Sequence, residues 1–521
     1  MARQFLYDDA PVVHTRQGDL RGYVLDGICI FKGIPYAKAE RFQMPSPPDC
    51  WEGVREAASY GYVSPMLTQD NPRAELLAPH RYWPQNENCQ NLNIWTTDVA
   101  PATPKPVLVW LHGGGFSMGS SIEQKAYNGE NMARYGDVVV VTVNHRLNIL
   151  GYLDLSPYGE KYWNSGNLGQ ADLVAALEWV RDNIRAFGGD PENVTIFGQS
   201  GGGMKVSGLM QTPAADGLFH KGIIMSGVAG DLMPYSTADS RPLIQALLAE
   251  LVLTEDQVEA LETVPYHELA AAYNKVSPAI AKAGGYVGCT PRPNRYFLGE
   301  GPQVGFTAHA TTIPLIVGTV FGEFAMLPLP VSKMQATPEQ TDTILQQRFG
   351  KYTSDLRKLF EQTYPGKHPL DLLNLDTIFR IPTKNFVCSF AQAGGTAYSY
   401  LFALEFPYQQ GKIAWHCADI PFVFHNIDLA PVANIPNVSD RLQDQIFGAV
   451  IQFARTGNPN HSGLPEWPAS SADHEATMIL DRECRLGCDF DDQLLELYAS
   501  ATPKFDLMAL MSAMADSDIQ H

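Results

Sequence analysis

Val194-Thr195-Ile196-Phe197-Gly198-Gln199-Ser200-Gly201-Gly202-Gly203-Met204-Lys205-Val206 decides how this chain is read. Val194 to Phe197 has the make-up of a buried strand, and Gly202 to Met210 can run on as a helix. Ser200 stands between them, flanked by small residues on both sides. A chain that turns sharply from strand to helix needs that, because side chains there would clash. A serine in such a turn projects its hydroxyl outward as a nucleophile. A second Gly-x-Ser-x-Gly, Gly115-Phe116-Ser117-Met118-Gly119, follows a run of glycines and has no strand directly before it. Context therefore selects Ser200 and not Ser117.

Working outward, apolar runs of strand length recur at 106–111, 138–143, 194–197, 222–225, 313–317 and 397–403. They lack the in–out alternation of half-exposed strands and read as buried parallel strands. Helical patterns lie between them. The clearest is Asp172 to Phe187, with Leu173, Ala176, Leu177, Val180 and Ile184 on one face, stopped by Gly188-Gly189-Asp190-Pro191. Residues 12–33 read as short antiparallel strands. The pattern predicts an α/β fold: one domain over 1–521, with a large, mostly parallel central sheet covered by helices on both faces. The segments 230–300 and 325–395 are expected to form helical cap insertions.

Composition narrows the function. The net charge of −19 argues against a nucleic-acid binder, which normally shows a basic face, and suits a soluble protein. No apolar stretch is long enough for a membrane span, and the N-terminus lacks the apolar core of a signal peptide. The 8 cysteines are scattered through 521 residues and do not form a disulfide framework. Cys484 and Cys488 lack the partners of a zinc site. Reduced thiols, a cytoplasmic location and no metal are the expectations. Nothing in the sequence specifies an oligomeric state.

His112-Gly113-Gly114-Gly115-Phe116 ends the strand-like run at 106–111. Acyl transfer places negative charge on the carbonyl oxygen, so backbone N–H groups must already point at it. A histidine–triple-glycine loop after an early strand supplies them in esterases and lipases. The candidate oxyanion donors are Gly114, Gly115 and Gly201. A nucleophilic serine needs a base and the base needs an acid, in the chain order serine, acid, histidine on this kind of fold. His416 follows the late strand at 397–406, with His425 as runner-up behind an apolar run. Glu323 is the only acidic residue in the loop Gly318–Phe324. Position alone fits a surface carboxylate there equally well.

The chain resembles the type B carboxylesterases, the carboxylesterase/cholinesterase family of α/β-hydrolase fold. The resemblance runs from Gly33-Ile34-Pro35-Tyr36-Ala37 to about residue 490. It rests on Glu87-Asn88-Cys89-Gln90-Asn91-Leu92-Asn93-Ile94-Trp95, Asn144-His145-Arg146-Leu147, Phe187 to Pro191, Gly318 to Glu323 and His416-Cys417-Ala418-Asp419. It implies a carboxylic ester hydrolase with Ser200, Glu323 and His416 as its triad and no cofactor. It also implies two buried structural ion pairs, Arg41 with Glu87 and Arg146 with Asp172. Trp415 is a candidate substrate-wall residue by its place beside His416, and equally a candidate for the core.

The chain departs from the family pattern in three places. Gln199 stands where a glutamate is frequent, removing a buried charge. Gly201 stands where an alanine is frequent, keeping the backbone donor and loosening the turn. Cys89 lacks the upstream cysteine that pairs with it in secreted members, since 60–80 contain none. The expected partner is a small ester, with no nucleic acid and no membrane. The alternatives are a non-catalytic adhesion or binding protein of the same family, against which the intact triad and glycine loop argue, or an amidase or lipase using the same groups. The segment 60–86, rich in Pro, Asn, Gln and charge, makes a poor lipid-facing lid.

Overall fold

The structure, a computed structural model, describes residues 4–68, 77–228, 230, 235–299, 306–325 and 329–503. Its centre is a twelve-stranded sheet. From one edge to the other the strands are Phe5–Leu6, Tyr23–Leu25, Ile28–Pro35, Asn91–Thr96, Val139–Val143, Lys105–Leu111, Gly189–Gln199, Lys221–Met225, Leu315–Val320, Ala397–Phe402, Ala476–Leu480 and Arg485–Cys488. The run from Val139–Val143 to Ala476–Leu480 is parallel throughout. The outer strands pair antiparallel. A separate three-stranded sheet holds Val12–Thr15, Gly18–Arg21 and Val54–Glu56.

The parallel strands are apolar without alternation because both faces are covered. Along Lys105–Leu111, the side chains of Leu108 and Trp110 enter one core, and those of Val107, Val109 and Leu111 enter the other. The first core is closed by Met132, Phe447, Val450 and Leu495, from helices Glu130–Gly136, Ser439–Thr456 and Asp492–Ala501. The second is closed by Leu173, Leu177 and Val180 of helix Leu168–Asn183, with Phe386 and Phe390 of helix Arg380–Gln392. The helix expected at 172–187 thus begins one turn earlier and finishes as a 3-10 turn, Ile184–Phe187.

Chain order and spatial order part company at one place. From Lys105–Leu111 the chain crosses to Val139–Val143 on one side, then returns past it to Gly189–Gln199 on the other. Loops leaving the carboxyl ends of these two strands diverge and leave a crevice, the usual ligand position of an open parallel sheet. The glycine loop at 112–116 and Ser200 both lie there.

Within 230–300, helices Arg241–Glu250 and Tyr266–Lys282 pack through Leu243, Leu247 and Leu269 onto Phe42, Ile149 and Leu153. Residues 229, 231–234 and 300–305 lie outside the described part, as do 326–328. Within 325–395, helices Pro338–Phe349 and Thr353–Thr363 join the first core through Phe349 and Phe360. The last helix, Arg380–Gln392, is the crossover that covers the sheet itself. Of the segment 60–86, residues 69–76 are outside the described part; the remainder bridges Val63 to Gln85 and runs beside Gln124 through His80. Among the described residues no helix is long and apolar enough to cross a membrane. All eight cysteines are free, Cys89 among them.

Candidate active site

The site is assembled at the carboxyl ends of five neighbouring strands. Gly189–Gln199 runs into Ser200, which has φ 58° and ψ −125° and caps the helix Gly201–Leu209. Serine rarely holds such a backbone, and it persists only where its surroundings enforce it. Here the Ser200 N–H donates to the Met225 carbonyl at 2.8 Å and the Met204 N–H donates to the Ser200 carbonyl at 3.0 Å. The flanking glycines are required by close approach. A Cβ on Gly202 would lie 1.9 Å from the Leu111 carbonyl oxygen, and one on Gly201 would lie 2.2 Å from that of Gly115. Gly201 therefore does not loosen the turn, as its sequence suggested; it lets the glycine loop rest directly on the elbow. Ser117 sits in a turn closed by its own N–H to the Gly114 carbonyl, 3.2 Å, and is not followed by a helix.

Leu315–Val320 delivers Glu323, which is fully buried. One carboxylate oxygen, Oε1, accepts from the Val320 N–H at 2.9 Å and from the Ser226 hydroxyl at 2.6 Å. The other, Oε2, meets His416 Nδ1 at 2.5 Å. With both oxygens held, Glu323 fixes the imidazole with Nδ1–H donating and Nε2 as the free base. Burial opposes protonation of His416. The bonded Glu323, with Asp419 and Asp376 behind it, outweighs burial and holds the imidazole above its ordinary pKa. Those two carboxyls are themselves pushed up. Asp419, which accepts from the Tyr400 hydroxyl at 2.7 Å, rises to about 6 through burial. Asp376 is raised by burial and by Glu323.

The side-chain amide nitrogen of Gln199 lies against the His416 ring, 3.2 Å from Nε2 and 3.4 Å from Nδ1. The Gln199 amide oxygen accepts from Cys417 Sγ at 3.2 Å, which orients the amide with its N–H toward the imidazole. Among the described residues no hydrogen bond joins Ser200 Oγ to His416. Catalytic hydrogen bonds are frequently loose before substrate arrives. His425, the runner-up, bonds Asp444 at 3.0 Å and packs against the tilted ring of Tyr135.

The walls differ from expectation. Trp415 packs on Phe406 with centroids 4.7 Å apart, within the large core and not in the cluster of rings against His416, so it belongs to the core. Its place beside His416 misleads because consecutive residues in an extended loop point to opposite sides. The rings that flank His416 are Phe324, 6.3 Å away at 7°, and Phe379, 5.6 Å away at 27°. Phe116, Tyr152 and Met204 complete that apolar cluster. Phe379 comes from the 325–395 segment, and nothing local in the sequence marked it.

Of the two implied ion pairs, Arg146–Asp172 is buried and bidentate, with Nη2 to Oδ1 at 2.7 Å and Nε to Oδ2 at 2.9 Å. Arg41 and Glu87 also pair, but the Glu87 side chain is 35% exposed, so this second pair is only partly buried. Arg41 additionally donates to the carbonyls of Leu261 and Val264, in the 230–300 segment. Among the described residues no cluster of side chains could hold a metal.

A family model described as the carboxylesterase family matches residues 9–494. The para-nitrobenzyl esterase of Bacillus subtilis (strain 168) is 34% identical over 492 residues, covering 92% of this chain and 96% of that protein. The phenmedipham hydrolase of Pseudarthrobacter oxydans is 32% identical over 490 residues, covering 91% and 95%. The solved structure of an esterase from the anaerobe Clostridium hathewayi, described as able to hydrolyse aliphatic aromatic polyesters, is 68% identical. It superposes with a TM-score of 0.95 over 96% of this chain and 100% of that chain.

Proposed function

The chain belongs to the carboxylesterase family and is a carboxylic ester hydrolase, and from that premise we propose that Ser200, Glu323 and His416 are its triad and that Gly114, Gly115 and Gly201 bind the oxyanion. The observation that carries this reading is the buried Glu323–His416 pair at 2.5 Å, set on loops that converge on the strained Ser200.

His416 Nε2 takes the proton of Ser200 as its oxygen attacks the ester carbonyl. Charge forms on the carbonyl oxygen beside the N–H groups of Gly115 and Gly201, whose backbones touch in this structure. His416 then gives its proton to the leaving alcohol, and an acyl group remains on Ser200. Water, activated by the same base, releases the acid. Glu323 keeps the tautomer and offsets the imidazolium charge.

The aromatic walls formed by Phe324, Phe379 and Phe116 favour esters with an aromatic ring at the acyl or alcohol position. The aromatic esters and polyesters in the names of the related proteins support this class of substrate.

The test is hydrolysis of p-nitrophenyl acetate, butyrate and benzoate by wild type and Ser200→Ala. Loss of activity on the order of 10⁵–10⁶-fold supports the nucleophile. Benzoate turnover that falls more than acetate turnover in Phe379→Ala supports the aromatic pocket. Full activity in Ser200→Ala overturns the assignment.

A further inference from the structure

Lys205 lies in the helix that follows the nucleophile and is fully buried. Among the described residues its ammonium has one hydrogen-bond partner, the His112 carbonyl, at 2.8 Å. A buried cation with a single neutral partner is costly, and the reaction outlined above leaves it without a task. Its surroundings suggest one.

The carbonyl ends of three successive peptides in the glycine loop are all occupied. The His112 carbonyl accepts from Lys205. The Gly113 carbonyl meets His112 Nδ1 at 3.0 Å. The Gly114 carbonyl accepts from the N–H groups of Ser117 and Met118 at 3.2 and 3.1 Å. The opposite ends of these peptides are the N–H groups of Gly113, Gly114 and Gly115. A peptide whose carbonyl already accepts a hydrogen bond is polarised into a stronger donor, and its plane is fixed. Building on the oxyanion reading given above, we propose that Lys205 is a positioning residue for the oxyanion loop: its ammonium clamps the first carbonyl of the loop and places a buried positive charge behind the donors that meet the oxyanion.

The charges around it fit that task. His112 directly follows the strand Lys105–Leu111 and His145 lies two residues beyond Val139–Val143, and their rings stack at 5.1 Å. Burial and Lys205 hold both histidines well below the usual imidazole range. Each directs Nδ1 at a carbonyl, that of Gly113 and that of Arg146. Arg146 beyond them is engaged by Asp172. Glu123, from the segment after the loop, is the acidic neighbour; it accepts from the Ser120 N–H and the Tyr127 hydroxyl, both at 3.2 Å. Burial lowers Lys205 to about 7, against the pull of Glu123. The charge behind the loop is therefore present at pH 6 and largely gone at pH 9.

The experiment compares wild type with Lys205→Met, which keeps the length and loses the charge, between pH 6 and 9. The expected result at pH 6 is a kcat about tenfold lower with KM little changed. That is less than the ~10²–10³ lost with an oxyanion donor itself. The inhibition constant of a trifluoromethyl ketone, which forms an oxyanion on Ser200, should weaken by a similar factor. The wild-type to Lys205→Met ratio should then shrink as pH rises through about 7. A purely structural lysine would give a ratio independent of pH, and that result, or an unchanged kcat in folded protein, overturns the proposal. Should Lys205→Met fail to fold, Glu123→Gln carries the test. Removing the counter-charge must move the loss of the Lys205 contribution to lower pH, and an unmoved profile overturns the proposal. Ser200→Ala is run alongside: activity retained there overturns the oxyanion reading and this proposal together, whereas an inactive Ser200→Ala with an unaffected Lys205→Met overturns this proposal alone.

Discussion

The side-chain amide nitrogen of Gln199 lies 3.2 Å from Nε2 and 3.4 Å from Nδ1 of His416, so at rest an amide from the strand end that leads into Ser200 rests against the imidazole. An amide N–H bonds only the neutral imidazole. A carboxylate there would bond the protonated ring and raise its pKa further. In the role proposed for it, His416 acts as a base only when neutral, so added negative charge must cost activity on the acid side. Gln199→Glu is expected to move the acid limb of kcat/KM upward by about one pH unit, with a clear deficit at pH 6 and little change at pH 8. A pH profile on p-nitrophenyl butyrate reads this directly, and a limb that stays in place rules the electrostatic argument out.

Ser226 enters the site only through Glu323. Its hydroxyl donates to the carboxylate at 2.6 Å, deep in the protein. A hydrogen bond to a buried charge contributes about 1.5–3 kcal/mol. Ser226→Ala is expected to lower kcat about tenfold or more with KM nearly constant, because Glu323 then holds His416 less firmly. Equal loss in kcat and rise in KM would point instead to a disturbed pocket.

Gly201 and Gly115 touch through their backbones. An alanine at 201 puts a methyl 2.2 Å from the Gly115 carbonyl oxygen and 2.4 Å from its nitrogen. The loop must retreat, and the oxyanion loses a donor. Gly201→Ala is expected to reduce kcat by ~10²-fold while the protein keeps its fold. A variant with wild-type kcat would show that the loop moves without cost.

Arg380 is the centre of a buried ionic cluster remote from the reaction. It donates to Glu475 through two nitrogens, each at 2.7 Å, and to Asp491 at 2.8 and 3.1 Å, with Lys384 beside both acids. Arg380→Met leaves Lys384 alone to offset two buried carboxylates and is expected to cost about 3–5 kcal/mol at pH 7, measured by urea unfolding. Burial alone would raise Glu475, but Arg380 outweighs it and holds the carboxyl near 2. Its folded pKa lies below the unfolded value of about 4.3. The stability it contributes is therefore complete above that value and lost as pH falls toward 2. The deficit of Arg380→Met should shrink over the same range.

Much of this molecule was legible because local rules are written in neighbouring residues. The elbow around Ser200 needs small flanking residues, and the buried parallel strands need continuous apolar runs; both were readable. Asn91–Thr96 does not read as a strand in the sequence, because Asn91 and Asn93 interrupt the apolar pattern. Asn93 is tolerated in the core because its amide receives the Gly33 N–H at 3.0 Å and donates to Thr142 at 3.1 Å. Glu323 was one of two equal readings by position until the family resemblance favoured the acid.

The sequence by itself determined the sheet, the elbow and the glycine loop, since each depends on backbone geometry set within a few residues. Only the tertiary structure decided that Gln199 lies against His416, that Ser226 holds Glu323, that the Phe379 ring and not that of Trp415 lies against the imidazole, and that Lys205 lies buried under the loop. Those contacts join residues distant in the chain, between 93 and 217 positions apart for Lys205–His112, Ser226–Glu323 and Gln199–His416. No local pattern of charge or hydrophobicity encodes which distant loops will meet at the end of a folded sheet.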